Sequence, residues 1–310
     1  MIFRLFAVLT IFAAPLCVRG ISWQRGSDSL ALQAGKETIW QFNFATNQGK
    51  PFFHPLRVTG GHSLTALKPS DHPWHYGLWF SWKYINGVNY WEEDKKTGRA
   101  QGLTIWDKPE ISTHPDGSAQ IKMTLRYLSV SNAVLMTEQR LIEISATQAD
   151  GGVTIDWKGQ FTVNDQPLLL DRTHMPGEPN GAVNGGYAGF SLRAAQSPAQ
   201  CQFVTIEGPV EKFESDRARP NSTAAACNIT QNGRTDGVAI LSYSSNLGGD
   251  SPWYIINSAA MHWFSPALLA PAPKNLKPHQ HFTWQFRVMT TASAWTPEQL
   301  RAESLRYNAK

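Results

Sequence analysis

Apolar and polar residues alternate with a period of two through most of the chain. The clearest run sets Val153, Ile155, Trp157, Phe161 and Val163 against Thr154, Asp156, Lys158, Gln160 and Thr162. Such alternation predicts an antiparallel strand with one face in the core and the other in water. Ile121, Met123, Leu125 and Tyr127 repeat it against Lys122, Thr124 and Arg126, as do Phe282, Trp284, Phe286 and Val288 against Thr283, Gln285 and Arg287. Short strands of this kind, separated by Gly, Asn, Asp and Pro, run the whole length, which favours a sandwich or barrel over βαβ units. The predicted fold is all-β, an antiparallel, supersandwich-like β-sandwich with a short C-terminal helix. That helix is placed where Thr296 can cap, Pro297 fits the first helical position and Gln299 completes a capping box before Leu300 and Leu305. It is expected to pack against the sheet edge. Between strand candidates at 168–170 and 187–192, residues 173–186 read as a long loop punctuated by Gly177, Gly181, Gly185 and Gly186.

The amino terminus does not fit this pattern. Arg4 precedes an apolar run from Leu5 to Leu16 broken only by Thr10 and Pro15, the shape of a signal peptide. Cleavage after Gly20 would put Val18 and Gly20 at the small-residue positions, so residues 1–20 are assigned to a leader and 21–310 to one β-sandwich domain, secreted or periplasmic. Leu16 before Cys17 does not suit a lipid anchor. The run is shorter than the roughly 20 residues that cross a bilayer, and no later stretch is longer without charges. Without Arg4 and Arg19 the formal charge falls from +4 to +2. With cationic residues scattered, that argues against a nucleic-acid partner. Cys201 and Cys227 remain, with reason to pair in an oxidising compartment.

Candidate chemistry gathers in one segment. Four of the nine histidines, His54, His62, His72 and His75, fall close together, with Trp74, Trp79, Trp82 and Trp91 among or just after them. Residues 71–77 read as a turn, from Pro73 and Gly77, and 78–85 as the strand that follows, which puts His72 and His75 at a strand's mouth. Imidazole suits proton transfer near neutral pH, and a carboxylate such as Asp71 or Glu92 would fix its tautomer. The plain alternative is a set of hydrogen-bonded structural histidines. Trp79 and Trp82, at odd separation, cannot face the same side of one strand, so one of them should line a cleft. An aromatic face beside His, Asp and Glu suits a pyranose. Asp171, Arg172 and His174 form a second polar cluster at the base of the 173–186 loop, which is expected to close over the histidine turn.

These features predict an exported carbohydrate-active enzyme of glycoside hydrolase, lyase or epimerase type. Its catalytic candidates are His72, His75, Glu92, Asp171 and His174, and its substrate-contacting candidates are His54, His62, Trp74, Trp79, Asn86, Arg172 and Tyr187. A non-catalytic glycan-binding protein is one alternative. A metal-dependent oxidase or hydrolase is another, with His72 and His75 joined by His54, His62 or His174, although His-x-x-His on a strand would point its rings apart. No GxGxxG, Walker or Gly-x-Ser-x-Gly pattern is present, so no nucleotide cofactor is expected.

The sequence also resembles a known family. His54-Pro55-Leu56, Gly61-His62, the run from Asp71-His72-Pro73-Trp74-His75-Tyr76-Gly77 to Phe80, Asn86-Gly87-Val88 and Trp91-Glu92-Glu93 carry the resemblance, with Gly185 to Gly189, Arg193 and Gly237-Val238-Ala239-Ile240 further on. The family is a bacterial one of unknown function often labelled methane oxygenase PmoA. Its core pattern is Asp-His-Pro-His-His-Arg-Gly-Leu, from which Trp74 and Tyr76 depart, and this weakens a metal or base role at position 74. Methane oxidation is not carried over, because the methane monooxygenase subunit is a multi-span membrane protein. What the resemblance implies is a β-sandwich similar to galactose-mutarotase-like sugar enzymes.

Overall fold

The computed structural model describes residues 20–196, 199–246 and 250–309, so the expected leader lies outside the described residues except for Gly20. Among the described residues strands dominate, all paired antiparallel, with one α-helix at the end. Ten of them form a sheet in the order Ile21–Arg25, Ser29–Ala34, Glu37–Asn43, Phe52–Leu56, Leu78–Ser81, Gly189–Arg193, His262–Pro266, Ser251–Asn257 and Arg217–Ala218, with Asn221–Ser222 also on Ser251–Asn257. Nine form the facing sheet: Gln200–Thr205, Ala224–Gln231, Arg234–Ser242, His281–Thr291, Thr154–Val163, Val134–Ile144, Ala119–Leu128 and Leu103–Trp106, with Glu110–Thr113 also on Ala119–Leu128. A small third sheet joins Lys274–Leu276, Leu168–Asp171, Tyr84–Ile85 and Val88–Asn89.

The three alternating runs all lie in the nine-stranded sheet and turn their apolar residues inward. Trp157 meets Phe80 of the other sheet at 5.0 Å between ring centroids, and Phe286 meets Phe190 at 4.8 Å. Aromatic pairs at such distances add to the gain from buried area. The core also holds an ion pair: Glu138, fully buried, accepts from Arg140 Nε at 2.6 Å and from the Tyr127 hydroxyl.

The ten-stranded sheet is apolar on both faces. Leu78 and Phe80 enter the main core while Trp79 between them points the other way, and Phe53 and Phe52, Ile255 and Tyr254, and Phe264 and Trp263 divide likewise. Phe52, Tyr76, Trp79, Trp91, Tyr254 and Trp263 make a second apolar layer on the outside of this sheet. Trp82 packs in the main core against Trp284 at 4.8 Å, so the two tryptophans do part as their spacing requires. The strand expected over 78–85 is split, because Leu78–Ser81 pairs in the large sheet while Tyr84–Ile85 crosses to the small one. The strand expected from Tyr187 starts at Gly189.

The helix spans Pro297–Asn308 with the predicted capping box, Thr296 Oγ1 accepting from Gln299 N and the Gln299 side chain accepting from Thr296 N. It covers the outer face of Ala224–Gln231 and Arg234–Ser242 instead of an edge, burying Leu300 and Tyr307 against Ala224, Ala226 and Leu241. Leu305 is 67% exposed, since its helical phase turns it from that face. Cys201 and Cys227 are both free thiols. Register sets Cys227 opposite Phe203 and Cys201 opposite Ile229, so they sit diagonally on adjacent strands instead of directly across. No helix among the described residues is long and apolar enough to cross a membrane.

Candidate functional site

The outer aromatic layer floors a cleft of about 240 Å³. The turn ahead of Leu78–Ser81 contributes His72, Trp74 and His75, the chain after Val88–Asn89 contributes Trp91 and Glu92, and the approach to Gly189–Arg193 contributes Asn184 and Tyr187. The far strands close it with Arg217, Tyr254 and Trp263.

The histidine turn is built by its backbone. His72 N–H donates to Pro69 O and His75 N–H to His72 O, each at 3.0 Å, so the chain doubles back twice within a few residues. Gly77 ends it at φ +73°, where a Cβ would lie 2.5 Å from Phe53 O. Only glycine meets both demands. Because a turn carries them, the rings of His72 and His75 do not diverge as they would on a strand: they stack with centroids 4.6 Å apart.

Asp71 organises this pair from outside. Its Oδ2 takes a hydrogen bond from His72 Nδ1 at 2.9 Å, which leaves His72 Nε2 as the ring's free acceptor in the neutral form. Arg193 Nη2, fully buried, donates to both Asp71 oxygens at 3.1 and 2.9 Å and to Ala260 O. Burial raises the Asp71 carboxyl, but the bonds from His72 and Arg193 and the charge of Arg193 outweigh it and hold the group below the usual carboxylate range. His75 behaves differently. Burial, then the neighbouring His72, Arg193 and Lys50, push it well below the ordinary imidazole value, so it stays neutral. Arg193 Nη1 approaches its Nδ1 at 3.4 Å, which assigns the remaining proton to Nε2.

Across the cleft, Glu92 takes bonds from Lys83 Nζ and the Tyr187 hydroxyl, both at 2.6 Å to Oε1, and from Asn89 at 2.7 Å. Burial again raises the carboxyl, and the Lys83 ammonium with these donors lowers it further than burial lifts it. Burial and the Glu92 charge keep Tyr187 protonated. Beneath the cleft, Lys50 Nζ binds Glu93 at 3.1 Å and the carbonyls of Trp91 at 3.0 Å and Trp74 at 3.4 Å, tying two aromatic walls to one buried charge.

Of the residues singled out in the sequence, His72, Trp74, His75, Glu92 and Tyr187 line the cleft. Trp79 does not. It is 2% exposed and lies beneath His75 with centroids 5.1 Å apart, so its place is the floor's second layer. His54 binds Thr65 Oγ1 at 2.9 Å and His62 follows the turn at Thr59 and Gly60, both away from the cleft lining. Asn86, at φ +51°, accepts from Leu169 N at 2.7 Å and ties a hairpin to the next strand. Asp171, Arg172 and His174 gather around Glu178 and each other, with Arg172 Nη2 at 2.5 Å and His174 Nδ1 at 3.7 Å from its carboxylate. They brace the 173–186 loop from within. Gly185 lets it fold tightly, since a Cβ there would lie 1.8 Å from His174 O. Asn184 reaches the cleft, and Arg219 pins the loop by donating to Val183 O and Gly185 O at 2.7 and 2.8 Å.

No group of three or more His, Cys, Asp or Glu gathers with metal-binding geometry among the described residues. The three-imidazole arrangement is not assembled, because His54, His62 and His174 lie elsewhere. Arg217, Tyr254 and Trp263 were not singled out in the sequence. Their only local mark is alternation within strands, and sheet pairing alone brings them to the histidines.

Acid should destabilise this protein through His54. Burial, then the charge of Arg57, lowers its imidazole to about 4, against an ordinary value near 6.5. Between those values the unfolded chain binds a proton that the folded chain refuses, so this stability is full above pH 6.5 and drains away as pH falls toward 4. After discounting for solvent contact the loss is about 2 kcal/mol. Urea unfolding at pH 7 and pH 4.5 should show His54→Gln losing less than the parent. Equal losses would refute the assignment.

The model of the family of unknown function DUF6807 matches residues 29–304. This chain belongs to that family. The match agrees with the resemblance to a family without assigned function, and it brings no oxygenase assignment. No curated protein matches the sequence of this DUF6807 member. Among solved structures it is similar to an α-galactosidase from Lactobacillus brevis, at 9% identity and TM-score 0.46, over 88% of this chain and 40% of that one. It is similar also to the galactosidase domain of an α-galactosidase–sucrose kinase, at 10% identity and TM-score 0.44, over 89% and 41%. A Klebsiella pneumoniae protein described as a candidate aldose 1-epimerase gives 8% identity and TM-score 0.40, over 92% and 86%. The DUF6807 chain thus spans about two fifths of the length of the two galactosidase chains.

Proposed function

We propose that this protein is an exported enzyme that moves a proton on a sugar, an epimerase or lyase in type, with His72 as the base. The observation that carries the reading is the Asp71–His72 pair, whose imidazole opens onto an aromatic cleft, with both Asp71 behind it and the lining Glu92 held ionised. Two-carboxylate glycoside hydrolysis needs one carboxyl raised so that it keeps its proton. Asp71 and Glu92 are both shifted the opposite way, which favours imidazole chemistry. Asp71 fixes the His72 tautomer, His75 offers an Nε2–H donor, and Tyr187 and Glu92 meet hydroxyl groups across the cleft. Trp74, half-buried on the rim, supplies the face on which a pyranose stacks its C–H groups. A cleft of about 240 Å³ is below the range for drug-sized ligands and suits one sugar unit.

The test is a panel of monosaccharides and short oligosaccharides in D₂O followed by NMR, with tryptophan fluorescence as the binding readout. A sugar that both perturbs the fluorescence and gains carbon-bound deuterium or an altered anomeric or epimeric ratio supports the reading. Trp74→Ala should weaken binding of that sugar by about 2- to 12-fold, an aromatic contact's worth. Binding with no turnover anywhere in the panel would replace the enzyme by a glycan-binding protein. No binding at all would remove sugars from the account.

A further inference from the structure

The charges around the cleft pair off except at one end. Asp71 is matched by Arg193, Glu92 by Lys83 and Glu93 by Lys50, and in the adjoining loop Glu178 is matched by Arg172. Arg217, which lines the cleft, has no carboxylate within 4.0 Å among the described residues. Its Nε donates to the Tyr254 hydroxyl at 3.1 Å and its Nη1 to Ser215 O, and no acceptor among the described residues takes Nη2. Arg219, two residues on, also lacks an ion pair. Its guanidinium stacks 4.6 Å from the Tyr254 ring centre and donates to the backbone carbonyls of Val183 and Gly185. Burial lowers it, partly offset by Tyr254 and the more distant Glu214. Glu214 and Asp216, the nearest acids in sequence, are exposed.

Two guanidiniums on either side of one tyrosine, without a carboxylate between them, leave a positive potential at one end of an otherwise neutral cleft. A partly buried cation without a partner is costly unless something supplies the opposite charge. We infer that the ligand supplies it: the cleft takes a sugar bearing one anionic substituent, a carboxylate as in a hexuronic acid or a sulfate ester, seated on Arg217. This rests on the sugar reading above and adds the substrate's charge. Arg217 supplies the free Nη2 edge, Tyr254 holds its Nε so that the edge stays aimed, and Arg219 fixes the Tyr254 ring from behind. A guanidinium held at Nε and Nη1 presents Nη2 in a fixed direction, which a freely rotating ammonium could not, and this suits arginine at this position.

The experiment uses the mature protein and titrates glucuronate and galacturonate, their methyl esters, glucose and galactose, and galactose 6-sulfate, at low and at 0.5 M salt. A charge-assisted bond predicts that an acidic sugar binds at least about tenfold tighter than its neutral counterpart, with the margin shrinking in salt. R217Q should bring the acidic sugar down to the affinity of the neutral one, and R217K should recover part of the margin. Whether uronates or the sulfate show the preference names the anion. The ester comparison is made on the unaltered protein, so it holds even if R217Q folds poorly. Equal affinity for uronate, ester, sulfate and neutral hexose would overturn the inference and leave the sugar reading standing. Binding of none of them would overturn both.

Discussion

Glu138→Ala is expected to lower the unfolding free energy by about 3–5 kcal/mol, the usual loss when one partner of a buried ion pair is removed. Glu138 is fully buried and satisfies Arg140 Nε at 2.6 Å, Arg140 Nη2 at 3.0 Å and the Tyr127 hydroxyl. Without it, Arg140 stays in the core with its guanidinium 5.2 Å from the Trp157 ring centre and 5.9 Å from that of Phe80, an attraction too weak to replace an ion pair. Replacing both residues at once, Glu138→Leu with Arg140→Met, should cost far less, because no buried charge is stranded. Urea denaturation of the parent, the single and the double variant measures both effects. A single variant within about 1 kcal/mol of the parent would mean that water or rearrangement rescues Arg140.

His72→Ala should cut turnover of the responsive sugar by roughly 10²- to 10⁴-fold, the contribution of a positioned acid–base group. Asp71→Asn should fall between, since an amide can still accept from His72 Nδ1 but offers no negative charge to the imidazolium that forms. His75→Gln keeps an N–H donor in the cleft and should raise KM more than it lowers kcat, because a residue held neutral by its surroundings binds without exchanging protons. Steady-state kinetics separate the three. Turnover of His72→Ala within threefold of the parent would move the base elsewhere in the cleft.

Which of these features could be read from the sequence depends on how local each one is. The alternation at residues 154–162, 121–127 and 282–288 and the Thr296-Pro297-Gln299 signal are short-range, and the strands and capped helix formed where those patterns stand. The 71–77 turn was equally legible, since Pro73 and Gly77 restrict the backbone themselves. Long-range pairing was not. Trp79 reads as a cleft residue only until Phe52–Leu56 and Gly189–Arg193 are known to flank its strand and His75 and Trp91 to cover its ring. Asp171, Arg172 and His174 look like site chemistry because they are polar and clustered, whereas Arg172 and His174 are taken by Glu178 of their own loop and Asp171 by Arg172. Arg217 carries no signal in one sequence, because an unpaired guanidinium is recognised only when every other charge nearby has been matched.

The order of strands in the ten-stranded sheet bears on how the protein can be assayed. Phe80 pairs with Phe190, and Leu192 with Phe264, so the cleft joins stretches of chain that lie far apart in sequence. Such topology folds slowly, and no fragment of the chain can hold the site by itself. A ligand in the cleft therefore acts as a clasp on the whole molecule, resisting heat in proportion to the logarithm of its concentration over its dissociation constant. At a hundredfold excess over that constant the gain is about 2.7 kcal/mol, so melting temperature alone can rank unknown ligands before any reaction is known.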